Sequence, residues 1–230
     1  MTEARHALEV EGGLRLAVRL VEPAAPRAGA PAVLYLHGFG SRQDGEKAKF
    51  FRARATADGL VFCAFDARGH GDSEGNLGEL SLSRGLEDLD AVRRWLAARG
   101  HERIALFGSS MGAATALWHA VRRPQGIAAA AHVAPALGML AGLERWAGPE
   151  GLERWRREGS IRFRNALVDT ELAWSVIEDL RGYRFEDLCA AYRTPTVLFQ
   201  GQLDASVDWR EVERFARGAE DAEVELVLWE

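Results

Sequence analysis

The chain has only two cysteines, Cys63 and Cys189, and they fit neither a metal-ligand spacing nor a disulfide framework. Cys63 lies inside an apolar run and reads as a buried thiol. A basic excess is also lacking. The formal net charge of −5 leaves no surplus cation to meet nucleic-acid phosphates, so nucleic acid is not an expected partner. No apolar run is long enough to span a bilayer, so no membrane partner is expected either. The opening "MTEARHALEV" has no basic stretch followed by an apolar one and does not read as a signal peptide. A reducing, cytoplasmic location is therefore expected. Internal repeats and long low-complexity tracts are absent as well. What is present is ordinary globular composition: 230 residues, 47% hydrophobic and 27% charged, enough for one large domain or one domain with an insertion.

Two apolar stretches, "HALEV" and "LRLAVRLV", flank Gly12-Gly13 and predict a β-hairpin. "EPAAPRAGAP" (22–31) is a connection. Beyond it, short apolar runs alternate with helical patterns: "AVLYLH", "LVFCAFD", "RIALFG", "IAAAAHV", "TVLFQG" and "VELVLWE". Most are apolar throughout, as expected of strands buried on both faces in a parallel sheet covered by helices. Between them, Leu82, Leu86, Leu89, Val92 and Leu96 recur at three-to-four spacing and predict one helix, with Gly100 as its stop. "DWREVERFARGAE" repeats the pattern with Val212 and Phe215. The alternation predicts an α/β fold with a mostly parallel central sheet.

One interval breaks the rhythm. About sixty residues separate the strand ending near Val133 from the one starting at Thr196, far more than a crossover helix requires. Residues 136–183 are read as an inserted cap of helices with a short hairpin near Ile161–Arg164, between the sixth and seventh strands of the sheet. The core is then residues 1–135 and 184–230. Trp146, Trp155 and Trp174 lie in this insertion and offer apolar surface either to an aryl or acyl group or to packing of the cap itself.

The stretch "LFGSSMGAAT" contains two serines, and G-x-S-x-G fits in one frame only: Gly108-Ser109-Ser110-Met111-Gly112. Ser110 is therefore the candidate nucleophile. Such a serine sits on a sharp strand-to-helix turn, and its neighbours two before and two after must lack side chains to avoid collision. The turn aims the N–H of Met111, at the start of the next helix, at a developing oxyanion.

Three further motifs follow the same order as in the α/β-hydrolase superfamily, which the chain resembles over nearly its whole length outside the insertion. "LYLHGFGS" matches the His-Gly turn after the third strand. "FDARGHGDSEG" matches the Asp-x-x-Gly-x-Gly-x-Ser turn, here Asp66 to Ser73. "QGQLDASV" matches Gly-x-x-Asp-x-x-Val after the seventh strand. Within the superfamily the chain looks most like small bacterial carboxylesterases of the cinnamoyl/feruloyl-esterase and serine-aminopeptidase-like group. Gln200, where a histidine is frequent, and Asp208, where a proline is frequent, depart from that pattern.

The resemblance implies a serine hydrolase acting on a small-molecule carboxylic ester or thioester, with no cofactor and no metal. Ser110 would attack, Phe39 and Met111 would supply the oxyanion N–H groups, and Asp204 would be the triad acid. Asp208 is the competing acid; Asp204 is preferred because it lies directly beyond its strand. Acyl transfer, peptide hydrolysis and perhydrolysis use the same triad, and a non-catalytic binding protein could retain the fold.

The triad order of this fold is Ser, acid, His, but no histidine follows Asp204. His6, His37, His70, His101, His119 and His132 all precede it. His119 lies nine residues along a helix from Ser110, about 13 Å at helical rise. His37 and His70 read as loop-stabilising residues, and His37 and His132 as the two nearest the catalytic edge. The last strand, "VELVLWE", also has no helix after it, which would leave a sheet face uncovered. The expectation is therefore that the catalytic histidine and a closing helix lie beyond Glu230, and that these 230 residues alone are inactive.

Overall fold

A computed structural model describes residues 1–230. The strands are β1 (Thr2–Glu9), β2 (Arg15–Glu22), β3 (Ala32–Leu36), β4 (Phe62–Phe65), β5 (Ile104–Ser109), β6 (Ile127–Val133), β7 (Ser160–Arg164), β8 (Asp169–Ala173), β9 (Thr196–Gly201) and β10 (Val224–Trp229). The helices are α1 (Glu46–Ala57), α2 (Leu82–Ala97), α3 (Met111–Arg122), α4 (Met139–Glu158), α5 (Ser175–Leu180), α6 (Phe185–Ala191) and α7 (Trp209–Gly218). Eight strands form one sheet in the order β1-β2-β4-β3-β5-β6-β9-β10. β1 and β2 pair antiparallel through a turn at Gly12 and Gly13, both at positive φ, and β2 joins β4 antiparallel. Every other pairing is parallel. All six apolar runs and the N-terminal hairpin expected from the sequence are strands of this sheet.

Because side chains alternate along a strand, each face has its own cover. Leu34, Leu106, Ala130 and Leu198 share one face and pack with Leu89, Val92, Leu117, Leu188, Val212 and Phe215 from α2, α3, α6 and α7. The other face carries Tyr35, Phe62 and Ala64, which pack against Ala48 and Ala55 of α1. Along β6, β9 and β10 that second face bears Ala129, Ala131, Val133, Val197, Phe199 and Val227, all only half-buried. This face is less deeply buried there than over β3 and β4. No helix is long and apolar enough to cross a membrane.

Between β6 and β9 the chain forms α4, the antiparallel pair β7–β8, α5 and α6. α4 bends at Gly148-Pro149, where Gly148 has φ 65°. Trp155 is wholly buried and donates its indole N–H to the Leu172 carbonyl at 2.8 Å. Its ring lies 5.8 Å from Trp174 and 6.4 Å from Trp146. Trp155 and Trp174 therefore pack the insertion onto itself. Side-chain hydrogen bonds help fasten the insertion to α2: Asp179 accepts from the N–H groups of Leu82 and Ser83 at 2.6 and 3.2 Å, and Tyr183 shares a 2.7 Å hydrogen bond with Ser83. Asp179 thereby satisfies free donors at the N-terminus of α2.

The fold buries several histidines as neutral rings. Burial pushes His132 down to about 3, and pushes His37 and His119 down to about 4. An unfolded chain takes up these protons near pH 6.5, but the native one does so only near 3 to 4. Below pH 6.5 the unfolded state therefore binds more protons, and stability falls as pH falls. Each ring contributes a slope of about 1.4 kcal/mol per pH unit in that window. His132→Leu is expected to flatten the pH dependence of chemical-denaturation stability between pH 6 and 4 by about one such increment. An unchanged slope would show that His132 is not held neutral.

Candidate active site

Ser110 joins β5 to α3 at φ 54°, ψ −118°, a conformation that L-residues rarely adopt. Neighbouring backbone holds it there from two sides. The Ser110 N–H donates to the Val133 carbonyl at 2.9 Å, and the Ala136 N–H donates to the Ser110 carbonyl at 3.2 Å. Ala134, between those two partners, is the other non-glycine residue at positive φ, 47°. The flanking glycines are required sterically. A Cβ on Gly108 would lie 2.6 Å from the Ala113 Cα, and one on Gly112 would lie 2.5 Å from the Leu36 carbonyl oxygen. Ala113, Ala114 and Ala116 are buried and let α3 approach the sheet this closely.

The two adjacent serines are distinguished by their surroundings. Ser109 is buried, and its hydroxyl accepts from the Lys47 ammonium at 3.2 Å. Ser110 is half-exposed, and its hydroxyl makes no hydrogen bond to another residue of the chain. The His37-Gly38-Phe39 turn lies against it: a Cβ on Gly38 would be 3.2 Å from the Ser110 Cβ and 3.8 Å from its Oγ. The amide N–H groups of Phe39 and Met111 donate no hydrogen bond, so both expected oxyanion donors are free on the backbone segments that flank Ser110.

The loops around this edge are tied by buried carboxylates and hydroxyls. Asp66 accepts from the Gln43 N–H at 2.6 Å, the Gln43 side-chain amide at 3.1 Å and the Asp72 N–H at 3.0 Å. Ser73 donates to the Asp66 carbonyl at 2.6 Å and accepts from the Ala17 N–H at 2.8 Å. His37 accepts from the Ala67 N–H at Nε2, 3.0 Å, so its proton is on Nδ1 and is donated to the Gly38 carbonyl at 2.8 Å. That ring is committed to the turn on both sides and is not a base for Ser110.

Asp204 is exposed in the turn after β9. Its Oδ1 accepts from the N–H groups of Ser206 and Val207 at 2.8 and 3.0 Å, and Oδ2 remains free of protein hydrogen bonds. The Gln200 amide reaches the carbonyls of Gly201 and Val207 at 2.9 and 3.4 Å and braces the same turn. Asp208 is instead the N-cap of α7 and accepts from the Arg210 N–H at 3.0 Å. Ser110 and Asp204 both lie at the C-terminal edge of the sheet, on strands separated by β6. Two strand spacings are about 10 Å, wide enough for an imidazole hydrogen-bonded at each nitrogen.

None of the six histidines hydrogen-bonds Ser110 or Asp204. The His6 ring packs edge-on against Trp95, His101 lies 3.7 Å from Glu22, and His119 lies 3.4 Å from Asp90. His132 is wholly buried with both ring nitrogens unpartnered. His70 is buried and bonds through Nδ1 to the Arg68 carbonyl at 3.1 Å. Lys47 and the Val133–Ala136 clamp were not singled out in the sequence, since neither carries a motif and both reach Ser109 or Ser110 only through the fold.

The steric reading of the elbow has a direct check. Gly112→Ala is expected to lower stability by about 2 kcal/mol or more, because backbone cannot yield to the new methyl. Gly142→Ala, on α4 with nothing within 4 Å of its added Cβ, is expected to be neutral or stabilising by up to about 1 kcal/mol. Denaturant titration of both variants tests the contrast.

A family model described as "Serine aminopeptidase, S33" matches residues 28–189. The palmitoyl-protein thioesterase ABHD10 of Rattus norvegicus is 31% identical over 106 residues, 46% of this chain and 35% of that protein. Its Bos taurus counterpart is 24% identical over 214 residues, 86% of this chain and 65% of that protein. The chain thus spans less than two thirds of the length of these relatives. Among solved structures, Est1E from Butyrivibrio proteoclasticus with bound ferulic acid superposes with a TM-score of 0.82 at 19% identity, covering 97% of this chain and 89% of that one. At that identity the likeness speaks to the fold, which is α/β hydrolase. With the family match covering more than half of its length, the chain belongs to the S33 serine aminopeptidase family of α/β hydrolases.

Proposed function

We propose that the protein is a serine hydrolase that cleaves a carboxylic ester or thioester of a small molecule through an acyl-enzyme on Ser110. The observation that carries this reading is the strained Ser110 turn, with a half-exposed hydroxyl and free N–H groups at Phe39 and Met111. Ser110 Oγ attacks the carbonyl carbon, and the two N–H groups stabilise the oxyanion. The alcohol or thiol then leaves with the proton, and water releases the acid from Ser110. The gap between Ser110 and Asp204 is where this reading needs an imidazole, oriented by the free Oδ2 of Asp204. Residues 136–183 act as a cap over the core. The names of the mammalian relatives support thioesters as well as esters. A cytoplasmic setting agrees with the two buried free thiols, Cys63 and Cys189.

In the full-length protein a fluorophosphonate probe is expected to label Ser110. Ser110→Ala should abolish labelling, whereas Ser109→Ala should retain much of it. Labelling that survives Ser110→Ala, or a folded wild type that never labels, contradicts the assignment, the latter in favour of a binding protein on the same fold. Asp204→Asn is expected to leave folding intact and to lower kcat by about a thousandfold or more, while Asp208→Asn, which keeps the capping oxygen, is expected to leave both kcat and stability nearly unchanged.

A further inference from the structure

Asp204 is carried on a stretch with no buried side chain of its own, since residues 202–206 are all exposed. Burial resumes at Val207 on one side and at Gln200, which is wholly buried, on the other. Hydrogen bonds therefore fix the position of the acid. The Gln202 N–H ties the start of the stretch to β10, donating to the Trp229 carbonyl at 2.8 Å. From outside residues 201–207, the one side chain that hydrogen-bonds to them is Gln200.

The Gln200 amide nitrogen lies 2.9 Å from the Gly201 carbonyl and 3.4 Å from the Val207 carbonyl. Both partners are acceptors, which settles that the NH2 end of the amide faces the turn. Each of these two residues is also bonded to Asp204. The Gly201 carbonyl accepts a second hydrogen bond, from the Asp204 N–H at 3.3 Å. Val207, whose carbonyl is held by Gln200, donates its own N–H to Asp204 Oδ1 at 3.0 Å. Two paths, each one residue long, thus join a buried amide to the acid, one to its backbone and one to its carboxylate. With Oδ1 taken by the N–H groups of Ser206 and Val207, Oδ2 is left pointing in a single direction.

We propose that Gln200 is the positioning residue of the acid, acting through Gly201 and Val207 to hold the Asp204 carboxylate in the one orientation that presents Oδ2. The proposal rests on the reading of Asp204 as the acid that orients an imidazole for Ser110. Glutamine suits the task because its NH2 carries two N–H groups, one for each carbonyl, whereas a neutral imidazole has one and could hold only one of them. Without the clamp an exposed carboxylate samples several rotamers, and a misplacement of about 1 Å can cost about a hundredfold in rate.

The test compares full-length wild type with Gln200→Met, which keeps the shape and removes both donors, with Gln200→His, and with Gln200→Met in an Asp204→Asn background. Rates are measured on p-nitrophenyl acetate, and amide hydrogen exchange is followed at Ser206 and Val207. Gln200→Met is expected to speed exchange at those two amides by about tenfold or more. It should also lower kcat by about ten- to a hundredfold while KM changes by less than about threefold. Gln200→His should fall between it and wild type. In the Asp204→Asn background the same substitution should lower kcat by less than about threefold, because the carboxylate it positions is already gone. An equal loss in both backgrounds marks general loosening and overturns the proposal. So does a folded Gln200→Met whose kcat stays within about threefold of wild type. Denaturant titration confirms folding; if Gln200→Met does not fold, Gln200→His carries the comparison, and unchanged exchange with unchanged kcat overturns the proposal. Fluorophosphonate labelling of Ser110 is measured in parallel. A wild type that does not label ends the hydrolase reading by itself. The clamp on Asp204 is then decided by exchange alone, faster exchange in Gln200→Met supporting it and unchanged exchange overturning it.

Discussion

Everything at the catalytic edge depends on one backbone turn, the positive-φ conformation of Ser110 between β5 and α3. Such a conformation costs on the order of 1–3 kcal/mol and persists only where the surroundings over-determine it. Here they do. The serine's N–H and carbonyl are claimed by the end of β6 and the segment that follows it, and the glycines at 108 and 112 allow β5 to approach Ala113 of α3 and α3 to lie against the Leu36 carbonyl. The small residues of α3 are therefore part of the same constraint: a bulkier helix would stand off the sheet and release the turn. The turn's product is chemical. It leaves the Ser110 hydroxyl and the Met111 N–H free, while the adjacent Ser109 is buried against Lys47.

Around this turn, charged and polar groups hold the loops in place. Asp66 collects three hydrogen bonds from Gln43 and Asp72, and fixes the loop after β4. Asp179 draws the insertion onto the start of α2, and Asp204 and Gln200 brace the turn after β9. Because these groups hold loops from different parts of the chain, the space between them is preorganised. A cavity beside Met111 is one result, bounded by the loop after β4, by α2 and by the insertion.

Much of this was legible in the sequence. Strands buried on both faces write themselves as continuous apolar runs, so the sheet could be read, and the single frame of the Gly108–Gly112 motif separated Ser110 from Ser109. Asp204 was preferred to Asp208 for its distance from the strand end, and in the structure Asp208 caps α7. Other features were out of reach. The tryptophans of the insertion carry no periodic signal that tells internal packing from ligand contact, and Trp155 proves wholly buried. The clamp from Val133 and Ala136 uses backbone groups, which leave no mark in residue type. His70 read as a loop-stabilising residue, and its Nδ1 serves that purpose; only the fold reveals that Nε2 is buried without a partner.

The central claim is that the strained turn makes Ser110, and not Ser109 or Lys47, the group that takes the acyl chain. The most direct measurement is acid-quenched incubation of the full-length protein with a p-nitrophenyl ester, followed by mass spectrometry of the peptide spanning 104–122 and of the peptide containing Lys47. The account predicts one acyl adduct, on Ser110, formed in step with p-nitrophenol release. An adduct on Ser109 or on Lys47, with Ser110 unmodified, would contradict it.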